Sequence, residues 1–214
     1  RNPLTAIGGF AKRLHEQANL DAAVKEKTAL ILEEAERLTA FLNTMDLYQL
    51  NTAEAGTCNI NEVAKDVAEL MREGEAKCKK VELSLELSDN VPCVFGGYAV
   101  IKQCLINLVK NSVEAVGSHG NIIIRSRLLD GTVYLEVEDN GHGIPLIFQE
   151  KALEPFFSTK RGRNGLGLST VRKLLGEIGG RLHLFSKPDT MTLASIALWP
   201  VPADGSRVKG PVAV

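Results

Sequence analysis

The apolar residues of this chain keep a helical period for the first fifty positions and switch to a mixed one beyond position 60. Leu4, Ile7, Ala11 and Leu14 step by three and four, with Phe10 beside them. After a break near Asn19 to Asp21 the pattern resumes at Ile31, Ala35, Leu38, Leu42 and Met45. Steps of three and four place these residues on one face of each of two helices, with charged residues elsewhere. Residues 1–50 therefore read as an antiparallel helical hairpin. Two helices with one apolar stripe each bury it poorly alone. Pairing with a second copy would complete a dimeric four-helix bundle; packing on the rest of the same chain is the alternative.

Residues 51–58, NTAEAGTC, carry no period and read as a linker. Beyond them, Asn61 to Glu75 has a helical pattern and Val81 to Leu87 alternates like a half-buried strand. Tyr98 to Val116 is a long apolar helix. Ile122 to Leu128 and Val133 to Glu138 are strands joined through Asp130-Gly131, a hairpin turn pair. Leu166 to Ile178 is a helix closed by Gly179-Gly180, followed by strands at Arg181 to Ser186 and Thr192 to Leu198. Hairpins with helices between them predict an α+β fold: a sandwich over 59–200, one mixed sheet with helices on one face. Residues 201–214 read as a flexible tail.

Bulk chemistry excludes several classes. A net charge of -1 over 214 residues gives no footprint for nucleic acid or an anionic membrane. No apolar run approaches the roughly 20 residues of a membrane helix. Cys58, Cys78, Cys93 and Cys104 form no CxxC pair and read as buried small hydrophobes in a reducing, cytoplasmic setting. Any membrane anchor of the parent protein is expected upstream. Starting at Arg1 inside a helical pattern, the chain reads as a fragment.

Four stretches carry chemistry. "NLVKNSVEA", residues 107–115, puts Asn107 and Asn111 four apart on one helix face among apolar residues. Buried amides must be satisfied, either by structural hydrogen bonds or by a hard cation such as Mg²⁺. "DNGHGI", residues 139–144, follows a strand and is either a turn or a ligand pocket. "EPFFSTK", 154–160, lies in a long stretch between Pro145 and Gly165 with little expected regular structure. That length marks a functional loop, read as a lid over 146–164 with Phe156 and Phe157 as its few apolar anchors. "NGLGLS", 164–169, opens a helix with glycines, a ready anion site. It is neither a Walker A motif nor a dinucleotide fingerprint.

In that order and spacing, the four stretches resemble the N, G1, F and G2 boxes of the ATP-binding domain shared by sensor histidine kinases and the gyrase, heat-shock and mismatch-repair ATPases. "RNPLTAIGGF", residues 1–10, resembles the H-box helix of the histidine kinases of two-component systems. The resemblance implies that Asp139 accepts a hydrogen bond from the adenine amino group, with Gly141 and Gly143 leaving room there. It implies that Asn111 coordinates Mg²⁺ and that Asn107 lies close to the phosphates. Lys160 and the backbone at Gly165 and Gly167 would contact the phosphate chain. Ile144, Ser158, Thr159, Arg163, Leu166 and Leu168 complete the expected ATP-binding set.

The same resemblance separates kinase from ATPase. The ATPases carry a Glu four residues before the Mg²⁺ asparagine, where it activates water; that position here is Asn107, and an amide is no general base. A histidine kinase uses an imidazole nucleophile instead. The phosphoacceptor is implied four residues before Asn2, upstream of Arg1. Asn2 matches the residue that some of these kinases use to orient water for dephosphorylating the response regulator. ATP and Mg²⁺ are thus the implied cofactors. A second copy and a response-regulator receiver domain are the implied partners. Hydrolysis of ATP and a non-catalytic nucleotide-binding role are the alternatives. Departures from the family pattern are Glu114 in place of Lys, Arg163-Asn164 in place of Gly-Thr, and Gly97 in place of Asp.

Overall fold

The computed structural model describes residues 2–16, 21, 23–32, 34–35, 56–159 and 165–202. The chain divides into two compact units, Arg1–Asn51 with Phe156–Leu166, and Thr52–Pro155 with Gly167–Val214.

In the first unit, α1 spans Asn2–His15 and α2 residues 23–32. Lys12, Arg13 and His15 fill the last turn of α1, where cations complement the helix dipole. His15 Nδ1 lies 3.3 Å from Thr28 Oγ1 and 3.2 Å from the Lys25 carbonyl, linking the end of α1 to α2. Ala11, Thr28 and Ala35 are buried, whereas Ile7, Phe10, Leu14, Leu30 and Ile31 are exposed. Among the described residues the expected stripe is therefore only partly covered. Leu38, Leu42 and Met45 lie outside the described residues.

The second unit is the α+β sandwich. Asn59 caps α3 (Ile60–Glu73) by accepting a hydrogen bond from the Asn61 amide at 3.0 Å. The helix buries Ile60, Val63, Ala64, Val67, Ala68 and Met71 as one stripe. The helix breaks at Gly74 instead of running through Glu75, and a short α4 (Glu75–Lys79) ends at Lys80 in the left-handed region. Helix α5 covers Tyr98–Val116 and α7 covers Gly167–Glu177.

Five strands form the main sheet, β2 (Glu82–Leu87), β4 (Asn121–Leu129), β5 (Thr132–Asp139), β6 (Arg181–Lys187) and β7 (Met191–Leu198). Their spatial order is β2-β4-β5-β7-β6, with β2 parallel to β4 and the other pairs antiparallel, so the sheet is mixed as expected. Asp130 and Gly131 both have positive φ, 48° and 74°, the geometry that a tight hairpin demands. Ile122, Ile124, Val133, Leu135 and Val137 alternate into one core with α3, α5 and α7. The intervening residues carry charge: Arg125 bridges Glu86 and Glu138, both at 2.5 Å.

Two features differ from the sequence reading. β1 (Thr57–Cys58) and β3 (Val94–Phe95) form a separate two-stranded sheet, too short to show a period. The stretch after Pro145 also holds a four-residue helix, α6 (Leu146–Gln149), and a 3₁₀ turn at Lys151–Leu153. Gln149 fastens α6 by donating to the carbonyls of Ile144 and Ser186 at 3.0 and 2.7 Å. The Gln149 bond to Ser186 is long-range, which local periodicity cannot announce.

Candidate functional site

Asp139 ends β5 with only 3% of its surface exposed. A carboxylate buried to that degree needs compensating donors. Its Oδ2 accepts from the Ser112 hydroxyl at 2.7 Å and its Oδ1 from the Gly141 amide at 3.0 Å. An ionised carboxylate offers about four acceptor positions, and these two bonds, one on each oxygen, hold its plane.

The loop after Asp139 is stapled on several sides. The Asn121 amide donates to Asn140 Oδ1 at 2.8 Å, the His142 amide to the Ala115 carbonyl at 3.3 Å, and the Ile144 amide to Ser186 Oγ at 2.8 Å. The two glycines are part of this packing. A Cβ at Gly141 would lie 2.7 Å from the Ala115 carbonyl oxygen, and one at Gly143 2.4 Å from that of Lys187. Gly143 also has a φ of 66°. Both are thus required by neighbouring protein backbone, a reason that the sequence pattern alone does not supply.

One turn of α5 carries the other polar pair. Asn107 and Asn111 are half-buried on the same face, and no hydrogen bond of either carboxamide occurs among the described residues. A Cβ at Gly167 would sit 3.4 Å from both Oδ1 and Nδ2 of Asn111, so the amino end of α7 meets this carboxamide. The first-turn amides of a helix have no intrahelical acceptor. Leu168 packs partly buried on the core. A neutral oxygen ligand beside a helix start, with Asp139 behind the adjacent Ser112, suits a ligand having a hydrogen-bond-donating ring at one end and anionic oxygens at the other. Asn111 fits a Mg²⁺ ligand because its carboxamide is half-buried and has no hydrogen bond among the described residues.

The remaining expected site residues belong to the first unit. Ser158 and Thr159 are exposed, and Gly165 and Leu166 are half-buried. The Phe156 amide donates to the Gly165 carbonyl at 3.0 Å, clasping the two ends of the segment between them. Phe156 adopts a left-handed φ of 66° and is half exposed, and Gly165 has φ 59° with Phe157 O 2.4 Å from a would-be Cβ. Asn2 begins α1. Lys160 and Arg163 lie outside the described residues. Glu114 is half-buried and has an interaction partner.

The thiols divide by environment. Burial pushes Cys104 up from its ordinary 9.0 to about 12 and, with smaller contributions from Cys93 and Glu62, Cys58 to about 11. Cys93 is exposed, against the expectation that all four were buried, because it precedes the short strand β3 rather than facing the core. The expectation for the Cys78 side chain lies outside the described residues.

Sequence reasoning missed Ser112, Ser186 and Gln149. A signal existed only for Ser112: a hydroxyl in a helix interior is a poor helix former unless its hydrogen bond goes elsewhere.

Residues 97–202 match the family of histidine kinase-, DNA gyrase B-, and HSP90-like ATPases. The chain is similar to the sensory histidine kinase/phosphatase NtrB of Azospirillum brasilense, 30% identical over 232 residues, covering 97% of this chain and 57% of that protein. The catalytic domain of histidine kinase ThkA, solved in a nucleotide-free form, superposes with a TM-score of 0.62 at 32% identity, over 69% of this chain and 98% of that one. ThkA in complex with the response regulator protein TrrA gives a TM-score of 0.65 at 28% identity, over 93% of this chain and 58% of that one. The chain spans about half the length of the curated relatives it matches. With the mixed sheet, the Asp139 loop and the polar pair on α5 in place, the chain belongs to the sensor histidine kinases of two-component systems.

Proposed function

We propose that this chain binds Mg·ATP along α5 and transfers the γ-phosphate to a histidine for relay to a response-regulator aspartate. The observation that carries the reading is the pairing of two polar positions on consecutive residues of one helix. Ser112 fixes the buried Asp139 as an acceptor, while Asn111 presents its carboxamide to the start of α7. Adenine, with its exocyclic amino group, would face Asp139. The phosphates would face Asn111, Asn107 and the first amides of α7, with Lys160 and Arg163 as further cationic contacts. Gly165, Leu166, Ser158 and Thr159 would flank that end. Asn111 would hold the Mg²⁺, which neutralises phosphate charge when bound.

Asn107 decides between transfer and hydrolysis. An amide at that position cannot take a proton from water, so the pocket positions ATP without activating a solvent nucleophile. The acceptor imidazole belongs to the helical unit, before Asn2 by the resemblance. Asn2 would orient water when the regulator is dephosphorylated. The complex of the relative ThkA with TrrA supports a receiver domain as partner. The exposed stripe on α1 and α2 supports a second copy.

Calorimetric titration with ATP and Mg²⁺ tests the assignment. Asp139→Ala and Asn111→Ala should each weaken binding by at least about tenfold, the scale of one lost charged hydrogen bond or metal link. Wild-type affinity in both variants would overturn it.

A further inference from the structure

We propose that Ser112 is a specificity-determining residue, which makes the site discriminate a 6-amino purine from a 6-oxo purine by holding Asp139 in one orientation. This inference rests on the nucleotide reading of Asp139 and adds a residue that does not itself touch the base. It stands on three observations. Ser112 and Asp139 are both buried, at 5% and 3% exposure. The hydroxyl is 2.7 Å from Oδ2. The opposite oxygen is held by the Gly141 amide, at 3.0 Å.

The chemistry follows from what each group can do. A hydroxyl facing a carboxylate acts as donor, because the carboxylate has no proton to give. With one donor on each oxygen, the plane of the Asp139 carboxylate is fixed, and its remaining lone pairs point in set directions. A ligand N–H arriving there completes the set. A ligand carbonyl brings a second acceptor against an anion in a water-poor site, where unmatched polar groups are costly. Ser112 is held by α5 itself, one residue from Asn111, so the aim of the acceptor is referenced to the helix that would carry the metal ligand. Without the hydroxyl, Asp139 loses the donor that aims Oδ2 from α5, and its carboxylate turns about its last torsion to meet a different donor arrangement.

The test compares ATP with inosine triphosphate, which differs in carrying a 6-oxo group, by calorimetry on the 214-residue chain. Wild type should prefer ATP by about a hundredfold. Ser112→Ala should lower ATP affinity by about tenfold and leave inosine triphosphate within about twofold, so that the preference falls by about fivefold or more. Ser112→Thr, which keeps the hydroxyl, should restore the preference. In an Asp139→Asn background, Ser112→Ala should leave the ratio of the two affinities unmoved, because the acceptor it aims is gone. A variant whose two affinities fall together, with the ratio preserved, would show a merely structural serine and overturn the proposal. Equal affinity of the wild-type chain for both nucleotides would instead overturn the reading of Asp139 as the adenine acceptor.

Discussion

Gly167 faces Asn111: a Cβ on the first residue of α7 would stand 3.4 Å from both polar atoms of the asparagine carboxamide. That distance is ordinary van der Waals contact, so alanine fits without strain, yet its methyl would cover the face by which Asn111 reaches a ligand. Gly167→Ala should therefore leave thermal stability within about 0.5 kcal/mol and reduce Mg·ATP affinity by about tenfold or more. Calorimetry beside a melting curve separates the two effects. Unchanged affinity would mean that the approach to Asn111 does not pass Gly167.

Gly141 and Gly176 make an opposed pair. At Gly141 an added methyl meets the backbone of Ala115, with its carbonyl carbon at 2.6 Å and oxygen at 2.7 Å, and neither can swing aside. Gly141→Ala should cost about 2 kcal/mol or more and displace the Asp139 loop. At Gly176, inside α7, nothing lies within 4 Å of the built Cβ. Gly176→Ala should stabilise by about 0.5–1 kcal/mol through helix propensity alone. Chemical denaturation of the two variants checks both signs.

These glycines show where reading from sequence reached and where it stopped. The long helix Tyr98–Val116 and the Asp130-Gly131 hairpin were legible because each is encoded locally, by period and by turn chemistry. The asparagine pair on α5 and the acid ending β5 were legible as polar residues in apolar settings. The Ser112–Asp139 bond joins residues 27 apart, and Gln149 fastens α6 to a carbonyl 37 positions away. No local pattern encodes such contacts. The crowding of Gly141 by Ala115 is equally a property of the assembled fold, whereas the sequence displays only a glycine.

Thiol chemistry gives a prediction with a definite pH direction. Cys58 and Cys104 have folded values raised to about 11 and about 12 above the ordinary 9.0. A raised value means that the folded thiol stays neutral while the unfolded one ionises. The associated stability is complete below about pH 9 and is lost as pH climbs through 11 and 12. Melting temperature should fall across that alkaline window, and less steeply in Cys104→Ala. At pH 8, in a Cys78→Ser background, a disulfide reagent should modify Cys93 rapidly and Cys58 and Cys104 only on unfolding. Rapid reaction at Cys104 would contradict its burial.

The helical unit predicts association. Phe10 is 62% exposed, Leu30 60% and Ile31 48%, whereas the buried residues described in this unit are Ala11, Thr28 and Ala35. Sedimentation at micromolar concentration should give a dimer, and Phe10→Glu or Ile31→Glu should shift it towards monomer by about tenfold or more in dissociation constant. A wild-type chain that sediments as a monomer would remove the case for the second copy.

The indole of Trp199, the chain's single tryptophan, donates to the carbonyl of Gly179 at 2.7 Å, just past the end of α7. The eleven residues of α7, about 16 Å of rod, run from the residue facing Asn111 to that end. The protein thereby carries its own optical gauge. Any tilt of α7 at the ligand end must be accommodated at the indole's hydrogen bond, where the fluorescence of one unambiguous fluorophore would register it without a label.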